Sequence, residues 1–246
     1  MPKNSKSFEN EENKPNTNSN SSGYEPAILI SKDMLADPQK TDVRIDFERG
    51  MSYFPWLTLT LISLNAIVFI WEISQGVLAS KESIINAGAL SRPQVLEGEL
   101  WRLFSAIFMH ASFDHLIGNC VILYILGMAC EHALGLRNTA KVYLISGLCG
   151  SLLSVTMQPG PSVGASGAIF GVLGSVILFL YKYQNHFFLR DKRIGSVLGF
   201  WALYTIGVGF LTPYVDNFAH IGGFIGGGVI TFLVKPKLFE KYRRNK

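Results

Sequence analysis

Polar positions dominate the first fifty residues. Asn, Ser, Glu and Lys recur there, and the main apolar run is the short Ala-Ile-Leu-Ile stretch at 27–30. From about residue 53 the texture inverts, and long apolar runs follow one another with brief polar or glycine-rich joints between them. A soluble domain of this length would alternate apolar and polar faces. Runs of about 18 or more apolar residues read instead as membrane-spanning helices. Six such runs, at 53–74, 113–132, 139–157, 166–183, 194–211 and 217–234, predict an all-α membrane protein with a six-helix transmembrane bundle. The long connection at 75–108 carries Trp101 and Arg102 beside Phe104 and Phe108, a mixture suited to a segment lying partly in the bilayer. The domain reading is a polar, largely disordered segment over 1–50, a membrane domain over 51–236 and a basic tail over 237–246. No apolar stretch near the N-terminus has the form of a cleavable signal peptide.

Charge sets the expected orientation. The chain has 22 Lys and Arg residues, and with a cytoplasmic N-terminus only Lys81, Arg92 and Arg102 fall in the opposite connections. The positive-inside rule therefore places both termini in the cytoplasm. Lipid is the expected solvent around the apolar runs. Net charge is +4 and 48% of residues are hydrophobic. The basic residues sit in short joints and tails rather than on a folded basic face, so no nucleic-acid partner is expected. Cys120, Cys130 and Cys149 lie in apolar runs without metal-type spacing and read as small packing residues.

Polar and ionisable groups inside a bilayer are costly, so each needs a reason. His115, Asn119, Glu131, Ser166 and His220 fall within the apolar runs, and His110 lies just before the second. In Gly164-Ala165-Ser166-Gly167, a hydroxyl opens a helix among unpaired backbone N–H groups, where an oxyanion would be stabilised. Taken alone, the same motif reads first as a tight helix-packing face, with Ser166 merely a small residue. In Ala219-His220-Ile221-Gly222-Gly223, an imidazole able to take and return a proton precedes glycines at four-residue spacing, Gly222 with Gly226 and Gly223 with Gly227. Small-xxx-small faces bring helices close, as a Ser–His hydrogen bond between helices requires, and they also serve dimerisation. His115 and Asn119 are four apart and share one helix face, where two donors would hold a developing negative charge. His110, His115 and His220 are also potential metal ligands, but no carboxylate or cysteine completes a recognised spacing. No metal and no cofactor are expected. A transporter would call for internal repeats or charges at mid-membrane, and the sequence carries no repeat.

These motifs together resemble the rhomboid intramembrane proteases, in their six-span bacterial form, which implies a place in the bacterial inner membrane. The resemblance covers roughly residues 53–234. It rests on Gly164-Ala165-Ser166-Gly167, His220 with its glycine tail, His110…His115…Asn119, Trp101-Arg102, and Gly127-xxx-Glu131-xxx-Gly135. It implies a serine-type endopeptidase acting on transmembrane proteins, with Ser166 as nucleophile and His220 as general base in a dyad. It implies an oxyanion hole of His115, Asn119 and the Ser166 N–H, with the Gly164 N–H. Trp101, Arg102, His110 and Glu131 are implied as structural supports, Phe170 as an aromatic packed on the histidine, and Gly222 and Gly226 as packing residues. The fifth span and the loop after it are implied as a lateral gate. Inactive relatives bind membrane clients without cutting them, typically after losing the serine or the histidine, and both are present here. Asp216, one turn before His220, reads as a helix N-terminal residue rather than a third catalytic group.

Overall fold

The computed structural model describes residues 45–48, 51, 54–158 and 160–239. The apolar run at 27–30 and nearly all of the polar segment lie outside the described residues, as does the end of the basic tail. Nine α-helices follow one another among the described residues: α1 (Trp56–Ser74), α2 (Lys81–Ala87), α3 (Arg92–Leu96), α4 (Arg102–Ser105), α5 (Phe113–Leu134), α6 (Leu136–Met157), α7 (Ser166–Lys182), α8 (Leu189–Gly209) and α9 (Asn217–Leu233). There are no strands among these residues, only isolated bridges between Ile45 and Phe187 and between Leu90 and Ser162.

The six long helices coincide with the six apolar runs to within a few residues. Four stretches are long and apolar enough to cross a membrane: Trp56–Ser74, Phe113–Leu134, Leu136–Met157 and Asn217–Phe239. The shorter α7, with 17 residues, is apolar but enclosed by its neighbours. α8 starts five residues earlier than its apolar run, because Leu189–Arg193 winds into its first turns instead of forming a loop. Those charges keep α8 out of the group with the hydropathy of a span. Large apolar side chains such as Ile67, Ile70, Phe200, Leu203 and Phe232 face outward, forming the belt of an integral membrane protein.

Local chemistry fixes the helix ends. Ser112 caps α5 by accepting from the His115 N–H at 3.2 Å, and Asp114 sits in the first turn. Gly135, at φ +78, ends α5 and turns directly into α6. Asp216 caps α9 by accepting from the Ala219 N–H at 2.9 Å.

α7 is the axis of the bundle, with Ala168, Val172, Leu173, Val176 and Phe179 all fully enclosed. α9 lies almost backbone-to-backbone against it. A Cβ on Gly223 would overlap the Gly167 carbonyl, and one on Gly227 would overlap that of Gly171. Gly222 and Gly226, the pair implied by the resemblance, face α6 instead. Their Cβ positions fall 2.6 Å from the Cys149 carbonyl and 3.0 Å from Cys149 Cβ. The two glycine rows of α9 thus serve two partners, and Gly223 and Gly227 form the seam with α7.

Candidate active site

Ser166 is the first residue of α7, and His220 lies one turn into α9. Because the glycine seam holds these helices so close, His220 Nε2 reaches Ser166 Oγ at 3.0 Å. The imidazole is buried. Phe170 stacks on it with ring centroids 4.2 Å apart and planes at 9°, and Trp201 of α8 lies nearly parallel to Phe170 at 6.5 Å. This stack leaves the ring little freedom to turn away from Ser166. His220 Nδ1 finds no hydrogen-bond partner among the described residues. The Asp216 carboxylate is engaged elsewhere, accepting from the Ala219 N–H and, at 2.5 Å, from Ser154 Oγ on α6. The arrangement is a Ser–His pair, with Asp216 capping α9 as its position implied.

His115 and Asn119 converge on the chain just before Ser166. Gly164 has φ +133, and a Cβ there would lie 2.7 Å from His115 Cε1 and 3.7 Å from Asn119 Nδ2. Only glycine combines that backbone conformation with so close an approach. Asn119 is buried and its Nδ2 is unpartnered among the described residues. The Ser166 N–H, at the start of α7, has no intrahelical acceptor. His115 and Asn119 thus crowd Gly164, two residues before Ser166. Gly164 differs from its implied role. Its N–H already donates to the Ala106 carbonyl at 2.9 Å, so it supplies room for His115 rather than a free donor.

The first connection builds the platform beneath this site. Leu90 and Ser162 exchange backbone hydrogen bonds at 3.0 and 2.9 Å, which with the Gly164–Ala106 bond fix the chain leading into Ser166. Arg102 is buried and locks the platform. Its guanidinium donates to Glu99 at 2.8 Å and to the Ala89 and Ile85 carbonyls, and it lies 4.7 Å from the Trp101 ring centroid. Trp101 covers Gly88, where a Cβ would sit 2.8 Å from the indole. His110 is fully buried, with its ring centroid 5.2 Å from that of His115. Burial pushes its imidazole down to about 4. Its backbone N–H donates to the Glu72 carboxylate at 3.2 Å.

Glu131 acts at the opposite end of the bundle. Pro55 gives α1 no side-chain cap, and the Glu131 carboxylate takes that part, accepting from the Thr58 N–H at 2.7 Å and Thr58 Oγ1 at 2.6 Å. Sequence reasoning missed Glu72, Ser154 and Trp201. Glu72 left a signal, a lone carboxylate in an apolar run. Ser154 and Trp201 left none, since serine and tryptophan are ordinary in membrane helices. A small recess lined by Ser151, Gly164, Gly167, Ala168 and Ala219 opens beside the pair. Among the described residues, no group of three or more His, Cys, Asp or Glu side chains gathers to hold a metal ion.

Comparison with known proteins identifies the family. The chain is 35% identical over 191 residues to Rhomboid protease GluP of Bacillus subtilis, covering 78% of this chain and 36% of that protein. It is 41% identical over 155 residues to RHOMBOID-like protein 5 of Arabidopsis thaliana, covering 61% and 50%. Inactive RHOMBOID-like protein 8 of the same plant is 33% identical over 165 residues, covering 65% and 46%. The chain thus spans only a third to a half of these relatives' lengths. The model of the Rhomboid domain matches residues 97–237, which include every residue of the Ser–His site and its donors. The chain belongs to the rhomboid family, whose members are multi-pass membrane proteins and include intramembrane proteases.

Proposed function

We propose that this protein is an intramembrane serine endopeptidase that cuts transmembrane helices of other proteins. The observation that carries the reading is the 3.0 Å contact between Ser166 Oγ and His220 Nε2. A serine hydroxyl is a weak nucleophile until a base is poised to take its proton. In the proposed reaction Ser166 Oγ attacks the substrate carbonyl carbon as its proton passes to His220 Nε2. The carbonyl oxygen becomes an oxyanion held by the Ser166 N–H, His115 and Asn119. Collapse breaks the C–N bond, and His220 gives its proton to the leaving amine. Water then attacks the acyl-enzyme, with His220 taking the water's proton and returning it to Ser166.

The same reading has six spans, with α7 and α8 completing the four helices that meet the length and hydropathy of a span. Both termini lie in the cytoplasm of a bacterial cell, and Ser166 opens to the outside. A substrate helix satisfies its own backbone hydrogen bonds and must unwind locally to offer a carbonyl. Helices weakened by Gly, Ser or Pro near the outer face, with a small residue before the cut bond, are the preferred substrates. α8 is the lateral gate. The kinship with an inactive relative makes a client-binding protein the alternative, and the intact Ser166–His220 pair speaks against it. The test is cleavage of a single-span substrate in liposomes by wild type, Ser166→Ala and His220→Ala. Each variant is expected to lose at least about 10³-fold in rate. Undiminished cleavage by either one contradicts the proposal.

A further inference from the structure

At the end of the bundle opposite Ser166, residues 45–48 cross the base of α7 and α8. The Ile45 N–H donates to the His186 carbonyl at 2.7 Å, and Ile45 pairs as a parallel bridge with Phe187. Phe47 is buried among His132, Phe187 and Phe179, with ring centroids 5.1, 5.7 and 5.8 Å away. Its N–H donates to Asp191 Oδ2 at 3.4 Å, and Asp191 is fully enclosed. Arg190 closes over the crossing, 2.7 Å from Asp46 and 3.3 Å from Glu48. Four consecutive residues thus tie together the end of α5, the end of α7, the joint after α7 and the first turn of α8.

α8 has few other holds. Its buried residues are Asp191, Gly195, Ala202 and Gly209, and most of its bulky side chains face outward. At its far end Asn217 Nδ2 donates to the Ile206 carbonyl at 3.1 Å. Between these two ties, Trp201 leans on the Phe170 ring that backs His220. We propose that residues 45–48 are a strap whose docking sets how far α8 leans from α7, and so controls access to the Ser166–His220 pair from the far side of the membrane. Docked, the strap holds the closed arrangement. Undocked, it frees the lower half of α8 and raises the population of the open one.

The part of this inference that concerns access for substrate rests on the protease reading. The part that concerns α8 does not, and the experiment separates them. In the full chain in lipid vesicles, with Cys120, Cys130 and Cys149 changed to Ser, Ala202→Cys reports on the α7–α8 contact through its capture by N-ethylmaleimide. Val172→Cys, fully enclosed on α7, reports on the core. Phe47→Ala is expected to speed capture at 202 roughly tenfold and leave capture at 172 unchanged, while Phe47→Leu restores most of the slow rate. Equal capture at 202 in all three, or a parallel rise at 172, overturns the strap. Cleavage of a single-span substrate is expected to rise with capture at 202. Flat cleavage in an active enzyme whose 202 capture rises overturns the control of access. An inactive wild type refutes the protease reading while the capture result still decides the strap.

Discussion

α9 and α8 flank α7 on different terms. α9 meets it through Gly223 and Gly227, so closely that a single methyl group at either would overlap a backbone carbonyl. α8 meets it at Gly195 beside Leu180 and at Trp201 over Phe170, and Gly199 and Gly207 along its length have nothing within 4 Å of a Cβ position. The first contact fixes the distance between Ser166 Oγ and His220 Nε2. The second is looser, and it touches the pair only through Trp201, which lies over the Phe170 ring that backs His220. A catalytic pair needs sub-ångström positioning, whereas entry of a substrate helix needs a wall that yields. On the proposed reading, the close glycine contacts of the α9 seam serve the first need and the looser α8 wall serves the second.

The sharpest way to break the contrast is to thicken the seam. Gly227→Val forces α9 off α7, and proteolysis is expected to fall at least about 10²-fold, since misplacement near 1 Å costs that much. Thermal unfolding in detergent should register a loss of about 1–3 kcal/mol. Next comes Gly164→Ala, where the backbone sits at φ +133 and His115 blocks the Cβ. Here kcat is expected to fall about 10-fold or more while the fold survives, because the strain falls on the oxyanion side of the site. Glu131→Gln weakens the cap on α1 at the end remote from Ser166. It should lower stability by about 1 kcal/mol and leave kcat within about twofold. Smallest is Gly199→Ala on α8, expected to change stability by no more than about 0.5 kcal/mol in calorimetry. A large loss there would mean that α8 packs as tightly as α9 and would erase the contrast.

Much of this was legible in the sequence because bilayer solvation leaves a coarse, long-range mark. The apolar runs located the six long helices, and the placement of Ser166, His220, His115 and Asn119 near run ends brought them to one end of the bundle. What was not legible is finer. Both glycine rows of α9 follow the same spacing, so only packing distinguishes the α7 seam, Gly223 and Gly227, from the α6 seam, Gly222 and Gly226. The Gly164 N–H is engaged by Ala106, more than fifty residues earlier, a long-range pairing that no local pattern encodes. Leu189–Arg193 reads as a charged loop by composition but is helical, because its Asp191 and Arg190 find partners in the strap. That strap was itself hidden within a segment whose composition reads as unstructured.

Activation of Ser166 by His220 underlies the proposed reaction, and a fluorophosphonate probe tests it at the atom concerned. Wild-type protein in lipid vesicles is labelled, digested and mapped by mass spectrometry, alongside His220→Ala. A single adduct on Ser166 is expected, and it all but disappears in His220→Ala. An adduct at another residue, or equal labelling of Ser166 in both proteins, would contradict it.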